Sequence, residues 1–272
     1  MAESSALLTP YFPVYAPSAE SVTPNILDPS ISAILGGDHP VLLPGKAWPR
    51  CGICNFPLIP YIQVNVSSPQ TPSEFRQKVG VRPEPGHTVI FQVLVCAEDE
   101  NAACFQDAIV AADASACLVR VVQASPSAED DPVVKATRAE IADDKFFMEA
   151  RVITGWTAGR PEVVDAADGD GGEDDLRMSH APAEGLKLLG SPVRDGPYYS
   201  TAHEGCTKPL AGSVGGDAAE PQPASEHYEW RCLLQLGTSL EEGAPLCVVG
   251  NTWINQCIRH PEVLEMVIGG DW

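Results

Sequence analysis

The sequence predicts an α+β fold that is mainly β: pseudo-duplicated antiparallel sheets with few short helices and long loops. Three observations predict it. Twenty-five Pro and 23 Gly interrupt the 272 residues too often for long helices. Short runs rich in β-branched and aromatic residues recur between those breaks. The same order of signals then appears a second time along the chain, the mark of an internal repeat.

In order, residues 1–30 are rich in Pro and Ser with scattered Tyr, and read as an extended N-terminal arm laid on the fold. A first β-rich repeat spans 31–160. It opens on turn glycines Gly36 and Gly37 and a proline-flanked loop ending at Trp48. Strands are expected at Leu58–Val66 (LIPYIQVNV) and His87–Cys96 (HTVIFQVLVC). In the next apolar region, Ala108–Val122, IVAAD reads as helical and CLVRVVQ as a strand. Residues 124–144 are too poor in large apolar side chains to anchor themselves and read as a loop with one short helix. Phe146–Trp156 reads as a further strand. An acidic, glycine-rich linker at 161–183 follows, whose Glu162–Asp175 tract is expected to stay solvated. The second β-rich repeat spans 184–272, with an insertion near 207–226, strands at Trp230–Leu236 and Val248–Cys257, and a short amphipathic tail, PEVLEMVIGGDW, that packs back on the sheet. The two repeats are expected to pack as one domain.

The shared signals are a leucine-glycine turn, cysteines, a strand with a central Gln, and a strand ending in Cys. In the first half these are Leu35, Gly36 and Gly37; Cys51 and Cys54; Gln63; and Cys96. In the second they are Leu189 and Gly190; Cys206; Gln235; and Cys257. This order resembles the YwqG-like family, in which an LGG turn, a WP-containing loop, an FLxQ strand and a Gly-rich approach to a final strand occur twice. Here ILGG, AWPRCGIC, YIQV, PEPGHTVIFQVLVC, ITGW and LKLLGSP carry the likeness over most of 31–272. It implies a mainly β, duplicated fold and no established activity. The second half departs from the pattern at VVGNTW, where a Gly-Asp turn is expected, and in losing one cysteine of the pair. The chain is also similar to the programmed cell death 2 family of ribosomal-protein chaperones, in its LGG-like start, its CxxC and its later FxC strand. That likeness implies a basic client.

Cys51-Gly-Ile-Cys54 is the sharpest local motif, because a C-x-x-C turn lets two thiolates face one ion; Gly52 is expected to relieve its backbone. Cys96 and Cys104 are the natural third and fourth ligands of a structural zinc. Buried or accessible thiols without metal are the alternative, since Cys also serves as a small core residue. In the second half His203, Cys206, Cys257 and His260 make a looser Cys2His2 set, against which stand ordinary surface histidines. Cys117, Cys232 and Cys247 sit in apolar, strand-like contexts and read as core. Gln63 and Gln235, mid-strand in both halves, are expected to make structural hydrogen bonds rather than hold a ligand. Trp48, Trp156, Trp230 and Trp253 read as core aromatics.

Seventeen Lys and Arg against 37 Asp and Glu give a formal charge of −20, whose field repels phosphate backbones and anionic lipid; neither nucleic acid nor membrane is expected as a partner. The opening residues lack a basic segment followed by a long apolar run, which gives a cytoplasmic expectation, with the nucleus as the other option. Phosphate loops, zinc-protease helices and nucleophile elbows are absent from the sequence. The leading reading is therefore a non-catalytic binding or scaffold protein with a protein partner. A chaperone for a basic client and a thiol-dependent enzyme are the alternatives.

Overall fold

The computed structural model describes residues 7–17, 24–37, 40–42, 46–96, 104, 116–124, 149–163, 181–193, 198–200, 230–236 and 252–269. These form strands β1 (Leu7–Leu8), β2 (Tyr11–Tyr15), β3 (Ala33–Leu35), β4 (Ile59–Asn65), β5 (Thr88–Val95), β6 (Cys117–Ala124), β7 (Arg151–Ala158), β8 (Glu162–Val163), β9 (Lys187–Leu188), β10 (Tyr198–Ser200), β11 (Trp230–Leu236), β12 (Thr252–Cys257) and β13 (Leu264–Gly269), with helix α1 (Ser73–Val79). The expected mainly β fold is the one observed. A single 11-stranded antiparallel sheet runs β10-β13-β12-β11-β9-β2-β7-β3-β4-β5-β6, and β1 and β8 form a separate two-stranded ribbon. The sheet curls until β6 approaches β13 without pairing to it, so it is nearly closed into a barrel.

One strand arrangement occurs twice in this sheet. β3-β4-β5-β6 and β9-β11-β12-β13 have the same order and direction, and Gln63 and Gln235 stand at matching positions, opposite Ile34 and Lys187. Each Gln strand has a register shift at the same place, between Pro60 and Ile62 and between Cys232 and Leu234, so Tyr61 and Leu233 are the corresponding extra residues. Their carbonyls accept from Gly36 N–H at 2.7 Å and Leu189 N–H at 2.8 Å, each the first residue beyond β3 or β9. The turn then needs two successive left-handed residues: Gly36 (φ 73) and Gly37 (φ 84) in one half, Leu189 (φ 59) and Gly190 (φ 78) in the other.

Between these halves lie β2 and β7. Residues 11–15, read from the sequence as part of an arm, are a strand that pairs with β7 on one side and with β9 on the other. The backbone hydrogen bond from Gly159 N–H to the Pro10 carbonyl sets the ladder phase, which turns the missing N–H of Pro13 toward β9. β9 reaches only as far as Tyr11, so no β9 carbonyl faces the proline and loses its donor.

The inner face buries a continuous apolar core from both halves, including Tyr61, Ile62, Val64, Phe91, Val93, Leu188, Leu234, Ile254 and Met266. Helix α1 contributes Phe75 and Val79 to it, with Phe75 edge-on to Phe91 at 5.8 Å between centroids. Its last turn is closed by Gly80 (φ 72), and the Lys78 carbonyl accepts from Arg231 of β11 at 2.9 Å, so a helix-end carbonyl is satisfied by the other half. The tail expected to be amphipathic is strand β13, paired along β12.

Candidate metal centre

Chain reversal at Cys51–Phe56 is set by its backbone. Arg50 and Pro57 bridge at its base, Cys51 N–H donates to the Phe56 carbonyl at 2.8 Å, and Asn55 N–H donates to the Cys51 carbonyl at 2.9 Å. The residue with positive φ is Asn55 (63°), not Gly52, which corrects the expectation for the glycine. Asn suits that conformation better than most side chains. The turn aims Ile53 N–H at Cys51 Sγ, 3.4 Å away. Behind it, Trp48 donates from Nε1 to the Leu58 carbonyl at 2.8 Å and fastens the loop to the start of β4.

Cys96 is the first residue past β5, held by its N–H to the Ala116 carbonyl at 2.9 Å. Cys104 reaches the same place from the connection that follows. The four Sγ atoms of Cys51, Cys54, Cys96 and Cys104 lie within 4.8 Å of one another, and Cys54 and Cys96 are 3.5 Å apart. Four thiolates about 2.3 Å from a shared tetrahedral ion stand roughly 3.8 Å apart, so the observed separations bracket a zinc site. They are far beyond a disulfide bond of about 2.05 Å, and none of the four is disulfide-bonded. Leu58, Leu94 and Ala116, with the partly buried Phe56 and Leu118, pack against the cluster, in which Cys51, Cys96 and Cys104 are buried and Cys54 half-buried.

That burial works against a charged Cys51, but the N–H groups of Cys54 and Ile53 and the neighbouring thiols of Cys54 and Cys96 outweigh it and hold its pKa below the ordinary thiol value. Cys104 moves the other way: burial raises its pKa, and a charged Cys51 beside it raises it further. A cluster of this kind, with one thiolate favoured and the next resisted, is relieved by a dication.

In the second half, Cys257 ends β12 at the position matching Cys96, because Gln63 opposes Gln92 as Gln235 opposes Trp253. Cys257 Sγ lies 3.7 Å from His260 Nδ1, and both residues are buried. His203 and Cys206, the other two of that set, lie outside the described residues, as does Cys247. Cys232 is buried as expected and Cys117 half-buried. Trp48 and Trp253 are buried, whereas Trp156 and Trp230 are partly exposed.

Both glutamines have the expected structural role. Gln63 Oε1 accepts from Val41 N–H at 2.9 Å and from Gln92 Nε2 at 2.8 Å, while Gln235 Oε1 accepts from Val193 N–H at 2.8 Å. Each clasps the segment that follows its left-handed turn. Two polar features escape sequence reasoning. Gln92 and Arg120 extend the Gln63 row across β5 and β6 through a 2.9 Å bond. Glu162, expected in a solvated tract, is buried and bonded to the buried Lys187 at 2.8 and 2.9 Å. Val163 pairs with Leu7, and residues 164–175 of that tract lie outside the described residues. The run LKLLG carries the one usable signal, a lysine inside an apolar stretch, which asks for an acid partner but does not say which.

No described helix is long and apolar enough to cross a membrane. Neither a family model nor a curated protein matches the chain.

Proposed function

We propose that this chain is a non-catalytic binding protein whose first half is stapled by a structural zinc held by Cys51, Cys54, Cys96 and Cys104. One observation carries the reading: four sulfur atoms from three separate chain segments lie within 4.8 Å of one another in an apolar surround. Four protein ligands complete a tetrahedron and leave no open position for water or substrate, which is the structural rather than the catalytic pattern. The ion would tie the 51–56 turn to the end of β5 and to the β5–β6 connection, and so add binding energy directly to folding. The likeness to the YwqG-like family supports a duplicated scaffold, and that to the programmed cell death 2 family supports a protein partner. The acidic balance of 37 to 17 favours a basic one.

The test is metal content by mass spectrometry on tag-free full chain, for the wild type and for Cys51→Ser/Cys54→Ser. About one zinc per chain, lost in the double variant, is the expected result. No zinc in the wild type, and none taken up by reduced protein on addition of zinc chloride, would reduce the cluster to packed thiols.

A further inference from the structure

The four clustered cysteines are not equivalent in their surroundings. Cys51, Cys96 and Cys104 are buried, and Cys54 alone is half-buried. Its chain neighbours Ile53 and Asn55 are exposed, so a small solute reaches the cluster from that side. Cys51 is 2% exposed, and its sulfur already accepts from Ile53 N–H at 3.4 Å. Cys54 Sγ instead faces Cys96 Sγ at 3.5 Å.

Those two sulfurs belong to different segments, each with a fixed backbone. The turn that carries Cys54 is closed by the Arg50–Pro57 bridge and by Asn55 N–H to the Cys51 carbonyl at 2.9 Å. Cys96, the first residue past β5, is held by its N–H to the Ala116 carbonyl at 2.9 Å. A disulfide of about 2.05 Å needs roughly 1.5 Å of further approach, which side-chain rotation supplies with both backbones in place. An accessible thiol beside a resolving thiol is the arrangement that oxidants act on selectively.

We propose that Cys54 is an oxidation site, at which a hydroperoxide joins Cys54 to Cys96 as a disulfide and expels the zinc. The inference rests on the structural-zinc reading and deepens it, by naming how that site is regulated. The Cys54 thiolate attacks one peroxide oxygen; the O–O bond breaks, hydroxide leaves and a sulfenic acid remains. The Cys96 thiolate then attacks the Cys54 sulfur, and the second hydroxide leaves as the S–S bond forms. The two thiolates together give up two electrons, the peroxide takes them, and two protons from solvent turn the hydroxides into water. Zinc undergoes no redox change; left with Cys51 and Cys104, it has too few ligands for a closed tetrahedron and departs. A Cys51–Cys54 bridge would lie within one turn and tie it to nothing else. The Cys54–Cys96 bridge keeps the turn fastened to the end of β5, so oxidation releases only the tie to Cys104.

The test exposes tag-free full chain carrying about one zinc to hydrogen peroxide, with a chromogenic chelator reporting released metal against a peroxide-free control. The protein is then alkylated in denaturant, digested and mapped by mass spectrometry. Release of about one zinc per chain is expected, with two of the nine thiols lost as a Cys54–Cys96 disulfide and the buried Cys232 and Cys257 still reduced. A thiol reductant with zinc chloride should restore both the thiols and the metal. Zinc retained, with all nine thiols alkylated, would overturn the proposal and leave the structural zinc standing. A bridge between Cys51 and Cys54, a bridge to Cys104, or sulfinic acid in place of a disulfide would overturn it as well. Wild type that holds no zinc would sink the metal reading by itself. The same mapping on that metal-free protein still decides the oxidation site, because the sulfur chemistry uses no metal: a Cys54–Cys96 bridge supports it and any other product overturns it.

Discussion

Replacing Lys187 with Met tests whether the buried ion pair anchors the second half. Lys187 is 0% exposed and Glu162 2%. The ammonium donates to Glu162 Oε1 at 2.8 Å, to Oε2 at 2.9 Å and to the Ser191 carbonyl at 2.7 Å, which uses all three of its protons. The carboxylate also accepts from Ala183 N–H and Ser191 N–H, both at 2.7 Å. Lys187→Met leaves a buried carboxylate with two backbone donors and no counter-charge, a loss of about 3–5 kcal/mol. With a urea m-value near 3 kcal/mol/M, that is a fall of roughly 1–1.7 M in the unfolding midpoint. Urea titration of zinc-loaded protein followed by tryptophan fluorescence reads it. An apolar double replacement, Lys187→Met/Glu162→Leu, should regain only part of the loss, because the Ala183 and Ser191 N–H groups then lose their acceptor at about 1–3 kcal/mol each. A Lys187→Met midpoint within about 0.3 M of wild type would refute the reasoning and mean that water reaches the pair.

Three further outcomes follow from the same geometry. Gly190→Ala should cost about 2–4 kcal/mol by urea unfolding and Gly86→Ala only about 1, although both have φ of 78°, because a Cβ at Gly190 meets Pro10 Cβ at 2.9 Å and crowds Glu162 Oε2, while one at Gly86 meets nothing within 4 Å. Gln63→Leu strands Val41 N–H, and Gln235→Leu strands Val193 N–H and the two carbonyls of Ala183 and Gly185; each should lose about 2–4 kcal/mol in calorimetric unfolding. A zinc chelator should lower the thermal midpoint of the wild type and leave that of Cys51→Ser/Cys54→Ser unmoved; equal shifts would detach the metal from the cysteines.

Strands that carry their own apolar content were legible in the sequence. Leu58–Val66 and His87–Cys96 were placed within a residue of β4 and β5, and Trp230–Leu236 is β11 itself. What escaped depends on pairing rather than on local composition. β2 is broken by Pro13, and only the two-residue length of β9 explains why a proline is tolerated there. β13 has charged and apolar residues in an order that suits a helix as well as a strand, and β12 decides between them. Helix α1 lacks a side-chain N-cap bond; its readable signals were Gly80 and the Glu74–Lys78 pair at 3.4 Å. The cysteine cluster was legible because C-x-x-C and a strand-end Cys are local features. Glu162 and Lys187 were not, because 25 residues of sequence separate them.

The two halves solve one structural problem with different chemistry. Both need a chain that leaves the first strand through two left-handed residues and is then clasped by a strand glutamine. Where the first half has Ile34 opposite its glutamine and Gly36 in the turn, the second has Lys187 and Leu189. Leucine at φ 59 is strained, and its burial in the core is the compensation the glycine at 36 does not need. Lysine on a buried strand demands a counter-ion, which β8 supplies through Glu162, and the same carboxylate then bonds the N–H of Ser191, directly after the turn. The cysteine cluster lies at the same end of the sheet as the first half's turn, because Gly36 bonds to Tyr61 near the start of β4 and Ile59 opposes Val95, but it sits on the β5 terminus, whereas the ion pair sits on the turn itself. The two cross-links thus hold different strands, the end of β5 in one half and the start of β9 in the other.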